Sequence, residues 1–150
     1  MTVANPQEQL DQFPARWSLV EEVHAHAFAL DKVVEAPTRI APPGSRALTL
    51  GRDDAVRNRD AFLIGNEFAH IHNPPAGSMH LTLPSPLREL AIARHWALSH
   101  PLAGKQGFTP DNVFAFAPRN DSEVEVAKLF LSASHAYALG HIAALPSGSE

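Results

Sequence analysis

Two alternating segments joined by a loop rich in proline and glycine constrain the fold of this chain most. They are NEFAHIH (66–72) and SMHLTLP (78–84), with NPPAG between them. Alternation of apolar and polar residues is typical of a strand, and proline with glycine favours a turn. The stretch therefore predicts a β-hairpin. If NPPAG is the whole loop, His72 pairs with Ser78 and His70 pairs with His80.

The predicted register separates an apolar face from a histidine face. Alternate side chains point to opposite sides of a strand, so His70, His72 and His80 share one face, together with Phe68. The other face, which we expect to lie on the core, consists of Ala69, Ile71, Met79, Leu81 and Leu83. Glu67 belongs to this second set and would need a bulge or a strand end to join the histidines.

The three histidines support three interpretations. The simplest is that they make ordinary hydrogen bonds on a half-exposed sheet face. They can also act as acids and bases or bind a ligand, because an imidazole titrates near neutral pH. A His-x-His pair with a third histidine and a carboxylate can hold a metal ion. The spacing matches no strong metal signature such as His-Glu-x-x-His on a helix, and the three uses stay open.

The remaining pattern predicts helices around a sheet. Apolar periodicity and terminal signals predict helices over 85–98 and 120–145. The same periodicity predicts either one helix or two shorter ones over 6–31, where Pro14 can kink a helix or begin one. Short apolar segments predict strands over 46–50, 61–65 and 112–117. Ser85 is the expected N-cap of the second helix, and Gly140 lies near the expected end of the third.

The order of these elements favours one fold class. Neighbouring strands followed by helices indicate an α+β fold, an antiparallel sheet with helices packed on one face, in the order α-β-β-β-β-α-β-α. We expect a single domain over 1–150. It divides into an N-terminal helical segment over 1–35, a core over 37–140 and a tail over 146–150.

Other candidate residues lie outside the hairpin. His100 follows the second helix in a loop, where it either serves a ligand or is simply exposed. Arg119 can bind a carboxylate or phosphate group, but a surface ion pair with Asp121 or Glu123 is the favoured interpretation. The remaining histidines are expected on solvated helix surfaces or at the edge of the core, and they are His24, His26, His95, His135 and His141.

Composition excludes several function classes. The formal net charge is −4 and no basic stripe is present, which argues against nucleic acid as a partner. The absence of cysteine excludes thiolate catalysis and cysteine-ligated metals. No apolar run is long enough for a membrane span, and the start lacks the pattern of a signal peptide, so we expect no membrane partner and a cytoplasmic location.

Three motifs together resemble a known family. GNEFAHIHNPPAGSMHLTLP, HWALSHPLAG and FAFAPRNDSEVEVAKLFLSASHAYALG are similar to the small bacterial and fungal luciferase-domain proteins, over about residues 37–140. The resemblance implies an oxygen-using pocket for a phenolic or pyrone-like molecule. The matching motif positions are Glu67, His70, His72, His80 and His100. The chain departs from the family pattern at His95, where glycine is common, and at His135, where tyrosine is common.

These observations give one prediction of function and two alternatives. We expect a small-molecule-binding protein or a small, cofactor-independent, oxygen-using enzyme. His70, His72, His80 and Glu67 would be catalytic, and His100 and Arg119 would bind the substrate, a small organic molecule. The alternatives are a non-catalytic binding module and a histidine-ligated metalloprotein, and a homodimer stays open. No phosphate loop, dinucleotide fingerprint or nucleophile elbow is present, which disfavours ATP- or NAD-dependent chemistry and serine hydrolysis.

Overall fold

The computed structural model describes residues 13–55 and 58–143. The helices are α1 (Ser18–Phe28), α2 (Leu87–Ala93) and α3 (Asp121–Ala138). The strands are β1 (Val33–Pro37), β2 (Arg46–Leu50), β3 (Glu67–Ile71), β4 (Met79–Thr82), β5 (Ala97–Ser99) and β6 (Asn112–Ala115). A single 3₁₀ turn, Arg59–Ala61, precedes β3.

The six strands form one antiparallel sheet in the order β1-β2-β3-β4-β6-β5. Helix α3 packs on β3 and β4, and α1 packs against α3. The core between helices and sheet includes Val20, Leu131 and the apolar hairpin face. The predicted α+β class is therefore confirmed. Among the described residues, no helix combines the length and apolar character that crossing a membrane requires.

The central hairpin has the predicted register. His70 lies opposite His80, Ile71 lies opposite Met79, and the His72 amide donates to the Ser78 carbonyl over 2.8 Å. Gly77 closes the loop with a φ of +69°, and a Cβ placed on it would lie 2.7 Å from Val20 Cγ2. Glycine is thus required there both for the backbone conformation and for the close approach of α1.

The strands outside the hairpin are less well predicted. The strand expected over 61–65 is wrong: the 3₁₀ turn ends at Ala61, and Phe62 and Leu63 reach the core from a loop. The sequence prediction also missed β1 and β5. β1 is largely exposed and lies at a sheet edge, while β5 has only three residues. Neither strand carries the long alternation that identifies the hairpin.

The helices are shorter than predicted. α1 begins at Ser18, and the residues expected to extend it over 6–12 lie outside the described residues. In α2 the cap position is Pro86, so the prediction of Ser85 as N-cap is wrong. α3 begins after Asn120, whose side chain accepts from the Glu123 amide over 3.0 Å, and ends at Ala138. The predicted tail over 146–150 also lies outside the described residues.

Two helices end in the same hydrogen-bonded motif with different residues at its left-handed position. In α3 that residue is Gly140 (φ +75°), and the amide after it donates to the Ala136 carbonyl over 2.8 Å. In α2 it is His95 (φ +61°), and the Trp96 amide donates to the Ala91 carbonyl over 2.9 Å. This is the Schellman motif, which favours glycine because a side chain crowds the backbone there. Glycine would therefore fit position 95 without strain, in agreement with the glycine that the resemblance of the motifs implies there.

Replacing His95 by glycine is therefore expected to stabilise the fold, by about 1 kcal/mol, since the strain of a left-handed non-glycine residue is removed. Urea unfolding of the wild type and His95→Gly measures this change. Gly140→Ala is the matched control and should destabilise by a similar amount. A loss of stability in His95→Gly would show that contacts of the imidazole outweigh the backbone strain.

Candidate functional site

The histidine face of the hairpin is buried, unlike the half-exposed face that the sequence predicts. His70, His72 and His80 are at most 2% exposed, and His100 is 4% exposed. Phe114 of β6 pairs with His80 across the sheet, with ring centroids 5.2 Å apart, and Phe108 stacks on His100 at 5.3 Å. Aromatic residues distant in sequence thus pack against these histidines. We refer to the four residues as the histidine cluster.

The cluster brings its imidazoles into mutual contact. The ring centroids of His70, His72 and His80 form a triangle with sides of 5.1, 5.2 and 5.3 Å. One ligand nitrogen from each lies within 4.8 Å of the other two. The His100 ring lies 5.0 Å from that of His80. All four histidines singled out in the sequence therefore meet at one place.

A strand irregularity adds Glu67 to the cluster. The register between β2 and β3 shifts so that Leu48 pairs with Ala69 but Thr49 pairs with Glu67. Phe68 is the extra residue of this bulge, which turns the Glu67 carboxylate toward the histidines. The expectation that Phe68 shares the histidine face is consequently wrong: its ring lies 6.0 Å from that of His135 on α3.

Glu67 holds His70 in a defined orientation. Its Oε1 lies 2.8 Å from His70 Nδ1, and both side chains are buried. An ionised carboxylate only accepts hydrogen bonds, so Nδ1–H donates and the lone pair of the neutral ring lies on Nε2. Among the described residues His70 Nε2 has no hydrogen-bond partner. Thr38 Oγ1 and the Arg39 amide also donate to the carboxylate, over 3.2 and 3.4 Å.

Two further imidazoles of the cluster, His72 and His100, have lowered pKa values. Burial, and next the Coulombic interaction with His70, lower the pKa of His72 to about 3. The same two causes lower the pKa of His100. His72 Nδ1 lies 2.8 Å from Ser78 Oγ. His100 Nδ1 accepts from the Leu102 amide over 3.0 Å, which leaves the proton of the neutral ring on Nε2.

The described contacts do not join Arg119 to the histidine cluster. Its Nε donates to Glu123 Oε1 over 2.9 Å and its Nη2 donates to the same carboxylate, which is the surface pair favoured from the sequence.

Two histidines of α1 differ from the expectation of a solvated surface. His26 Nε2 lies 2.8 Å from Ser132 Oγ, and burial together with Arg46 lowers the pKa of His24 to about 4.

Sequence reasoning overlooked the groups that support the cluster. They are Thr38, Ser78, Phe108 and Phe114. The predicted register places Ser78 opposite His72, and this pairing could have indicated the hydrogen bond between their side chains. Phe114 alternates with the small residues Ala115 and Ala117 in NVFAFA, which marks a strand but not which face it covers. Nothing local to Thr38 or Phe108 signals their roles.

The arrangement suits two kinds of chemistry. A buried carboxylate–histidine pair with an unpartnered Nε2 resembles the unit that orients a general base. Three buried imidazoles with converging nitrogens, one of them backed by a carboxylate, also fit a divalent metal ion, for which neutral imidazole is a common ligand.

Comparisons with known proteins agree with the resemblance of the motifs. Residues 65–134 match the family model described as Luciferase domain. The chain is 34% identical over 73 residues to the luciferase of Armillaria ostoyae, an alignment that covers 47% of this chain and 27% of that protein. It is 33% identical over 97 residues to the luciferase of Neonothopanus nambi, covering 63% of this chain and 34% of the relative.

The luciferase of Armillaria mellea aligns over 73 residues at 33% identity. The chain therefore spans only about a third or less of the length of these relatives, at 27% to 34%. No solved structure matches the chain. The matched segment contains the whole hairpin with Glu67 and its three histidines, as well as His100. Residues 65–134, a little under half of the chain, are therefore similar to the luciferase-domain family.

Proposed function

We propose that the chain is a small oxygen-using enzyme that acts on a small organic molecule with an acidic hydroxyl group. The observation that carries the proposal is the buried Glu67–His70 pair, with 2.8 Å between carboxylate and ring nitrogen and an unpartnered Nε2. The similarity to proteins named luciferase supports an oxygen-using reaction on a small molecule, and the resemblance of the motifs implies a phenolic or pyrone-like one.

In the proposed first step, His70 Nε2 takes the proton of the substrate hydroxyl. The O–H bond breaks, its electron pair stays on the substrate, and Glu67 stabilises the imidazolium that forms. The substrate anion then reacts with dioxygen. A carbon–oxygen bond forms, so that the substrate is oxidised while dioxygen is reduced to the level of a peroxide.

His100 is suited to hold the anion. Because its Nδ1 accepts the Leu102 amide, the neutral ring presents Nε2–H as a donor. Its ring lies 5.0 Å from that of His80, which in turn lies 5.3 Å from the ring of the proposed base, His70. A donor aimed at developing negative charge in a buried site favours the anionic state of the substrate. In this proposal His100 binds the substrate, as the sequence predicts, and His70 reacts with it.

The cleft beside His72 offers a route of entry. It has a volume of about 320 Å³, within the range of small-molecule sites, and its walls include His72, Asn73 and Pro74 on one side and Trp17 and His24 on the other. The cluster itself is buried, so the substrate must displace part of the covering loops.

Oxygen uptake tests this proposal. Purified protein should consume oxygen with one or more of a set of hydroxylated pyrones and phenols. His70→Ala should lose that consumption, and the exposed His141→Ala should keep it. Binding of such a molecule without any oxygen uptake would contradict catalysis and favour the non-catalytic binding module.

A second candidate function is a metalloprotein. The specific observation is the convergence of ligand atoms from His70, His72 and His80 within 4.8 Å of one another, all buried. Three histidines leave a coordination position open for a substrate or water, and Glu67 would support His70 from the outer shell. In this function Nε2 of His70 binds the ion and does not take a proton.

Metal content separates the two candidates. For the metalloprotein we expect close to one equivalent of a divalent transition metal in protein purified without a histidine tag, measured by elemental analysis. The His70→Ala/His72→Ala variant should lose it, and His95→Gly should retain it. A folded wild-type protein with no metal after exposure to Zn²⁺, Fe²⁺ and Cu²⁺ would eliminate this candidate.

A further inference from the structure

A second concave site lies away from the histidine cluster, between the turn after α2 and the first turns of α3. One wall is formed by Arg94, His95 and Trp96, and the opposite wall carries Arg119 and Glu123. Ala115 of β6 also lines it. Ala115 lies on the face of β6 opposite to Phe114, whose ring contacts His80 of the cluster. Its volume is about 230 Å³. We call it the Arg94 pocket.

One guanidinium in the pocket is available to a ligand. Arg119 is occupied by Glu123, which it contacts through its backbone amide, Nε and Nη2. For Arg94, by contrast, the described residues provide no side-chain hydrogen bond or ion pair. Two guanidinium groups against one carboxylate leave a single net positive charge. The pocket therefore favours a monoanion, and a dianion would face repulsion from Glu123.

The pocket is also apolar on one side. It continues into a groove of about 240 Å³ that shares Arg94, Trp96, Val126 and Phe130 with it. At the mouth of this groove Trp96 is 38% exposed and Leu129 is 57% exposed. An exposed indole beside an unpaired guanidinium suits a flat apolar group that ends in an anion.

One residue at the rim of the pocket has a strained backbone conformation. His95 occupies a left-handed position that glycine would fill without strain, and its side chain lines the pocket. Strain of this kind is concentrated at sites of function.

We propose that the Arg94 pocket binds a small aromatic monocarboxylate. The carboxylate accepts from the Arg94 guanidinium, and the ring lies against Trp96 and Phe130. This goes beyond the function proposed above, because the site shares no residue with the histidine cluster. Arg119, predicted from the sequence to bind substrate, contributes here as a rim residue held by Glu123.

A titration followed on Trp96 tests the proposal. The sequence has two tryptophans, so a Trp17→Phe background leaves Trp96 as the reporter. Phenylacetate should shift the Trp96 indole N–H signal in NMR spectra saturably, and phenylacetamide should bind at least tenfold more weakly. Arg94→Gln should weaken phenylacetate binding tenfold or more, because it removes a charge-assisted hydrogen bond. Arg52→Gln, which removes the same charge from an exposed loop, should have no effect.

Three results would overturn the proposal. The first is equal binding of the acid and its amide, which would show that the charge is irrelevant. The second is loss of binding in His70→Ala but not in Arg94→Gln, which would move the ligand to the histidine cluster. The third is tighter binding of phenyl phosphate, which would assign the pocket to a dianion. His95→Gly should weaken phenylacetate binding while it stabilises the fold.

Discussion

Glutamine in place of Glu67 is expected to lower the rate of oxygen uptake by about 10²- to 10⁴-fold, the range that a positioned general base contributes. The carboxylate accepts from His70 Nδ1 and fixes the lone pair on Nε2. An amide can instead present an N–H to that nitrogen, which favours the other tautomer and puts the proton on Nε2. It also cannot stabilise an imidazolium by charge.

The reduced rate should lie in kcat, with little change in KM, because Glu67 acts on the base and the proposal assigns substrate binding to His100. The matched control is Glu125→Gln, a carboxylate on the exposed side of α3 that pairs with Lys128. Thermal unfolding separates catalysis from stability, since Glu67 also accepts from Thr38 and Arg39. A folded Glu67→Gln protein with the rate of the wild type would rule out the Glu67–His70 pair as the base.

The register of the hairpin was predictable because three local signals agree. Period-two alternation, a loop with proline and glycine, and the apolar face of both strands specify the same pairing of His70 with His80. A shift by one residue would expose Ile71 and Met79. Local consistency of this kind is what permits a sequence to specify structure without information on distant contacts.

Burial of the histidine face could not be predicted from the hairpin. Two aromatic residues that pack against it, Phe108 and Phe114, lie about thirty residues further along the chain. Alternation alone describes a strand with one apolar and one polar face, and it is equally compatible with a polar face covered by loops. Burial here depends on tertiary contacts, and that burial is the main reason why the pKa values of His72 and His100 are lowered.

The position of Glu67 shows a second limit of sequence reasoning. Strict alternation assigns it to the core side, and one bulge at Phe68 moves it to His70. The residue pattern indicates that Glu67 could reach the histidines only through a bulge, but it does not indicate that the bulge is present. Arg119 is the opposite case: the simpler surface pair with Glu123 is present, and the pocket beside it depends on the distant Arg94.

Acid is expected to destabilise the metal-free protein through His72. Its pKa is about 3 in the folded state, below the ordinary value of 6.5. Above pH 6.5 neither the folded nor the unfolded state protonates this ring, so its contribution to stability is fully present. Between pH 6.5 and about 3 the unfolded state binds a proton that the folded state excludes. The free energy of unfolding therefore falls with pH, by about 1.4 kcal/mol per pH unit for one such group.

Other groups modify this slope in known directions. Burial also lowers the pKa of His100. The pKa of His24 is about 4, but this side chain is partly exposed, so its contribution to the free energy of unfolding is smaller. Burial raises the pKa of Asp111, which acts in the opposite sense as that carboxyl group takes up its proton. The interval from pH 7.5 to 5 isolates the histidines, because unperturbed carboxyl groups stay ionised there.

Urea unfolding in the presence of a chelator, from pH 7.5 to 5, measures the effect against His72→Asn. Asparagine keeps a polar atom near the position of Nδ1 for Ser78 but does not titrate. The wild type should lose about 2 kcal/mol more than this variant between pH 7.5 and 5, most of it below the ordinary pKa of 6.5. His141→Asn, which changes an exposed histidine, should follow the wild type. Parallel curves for the wild type and His72→Asn would mean that His72 protonates as readily in the folded as in the unfolded chain, so that its ring is not kept neutral by burial.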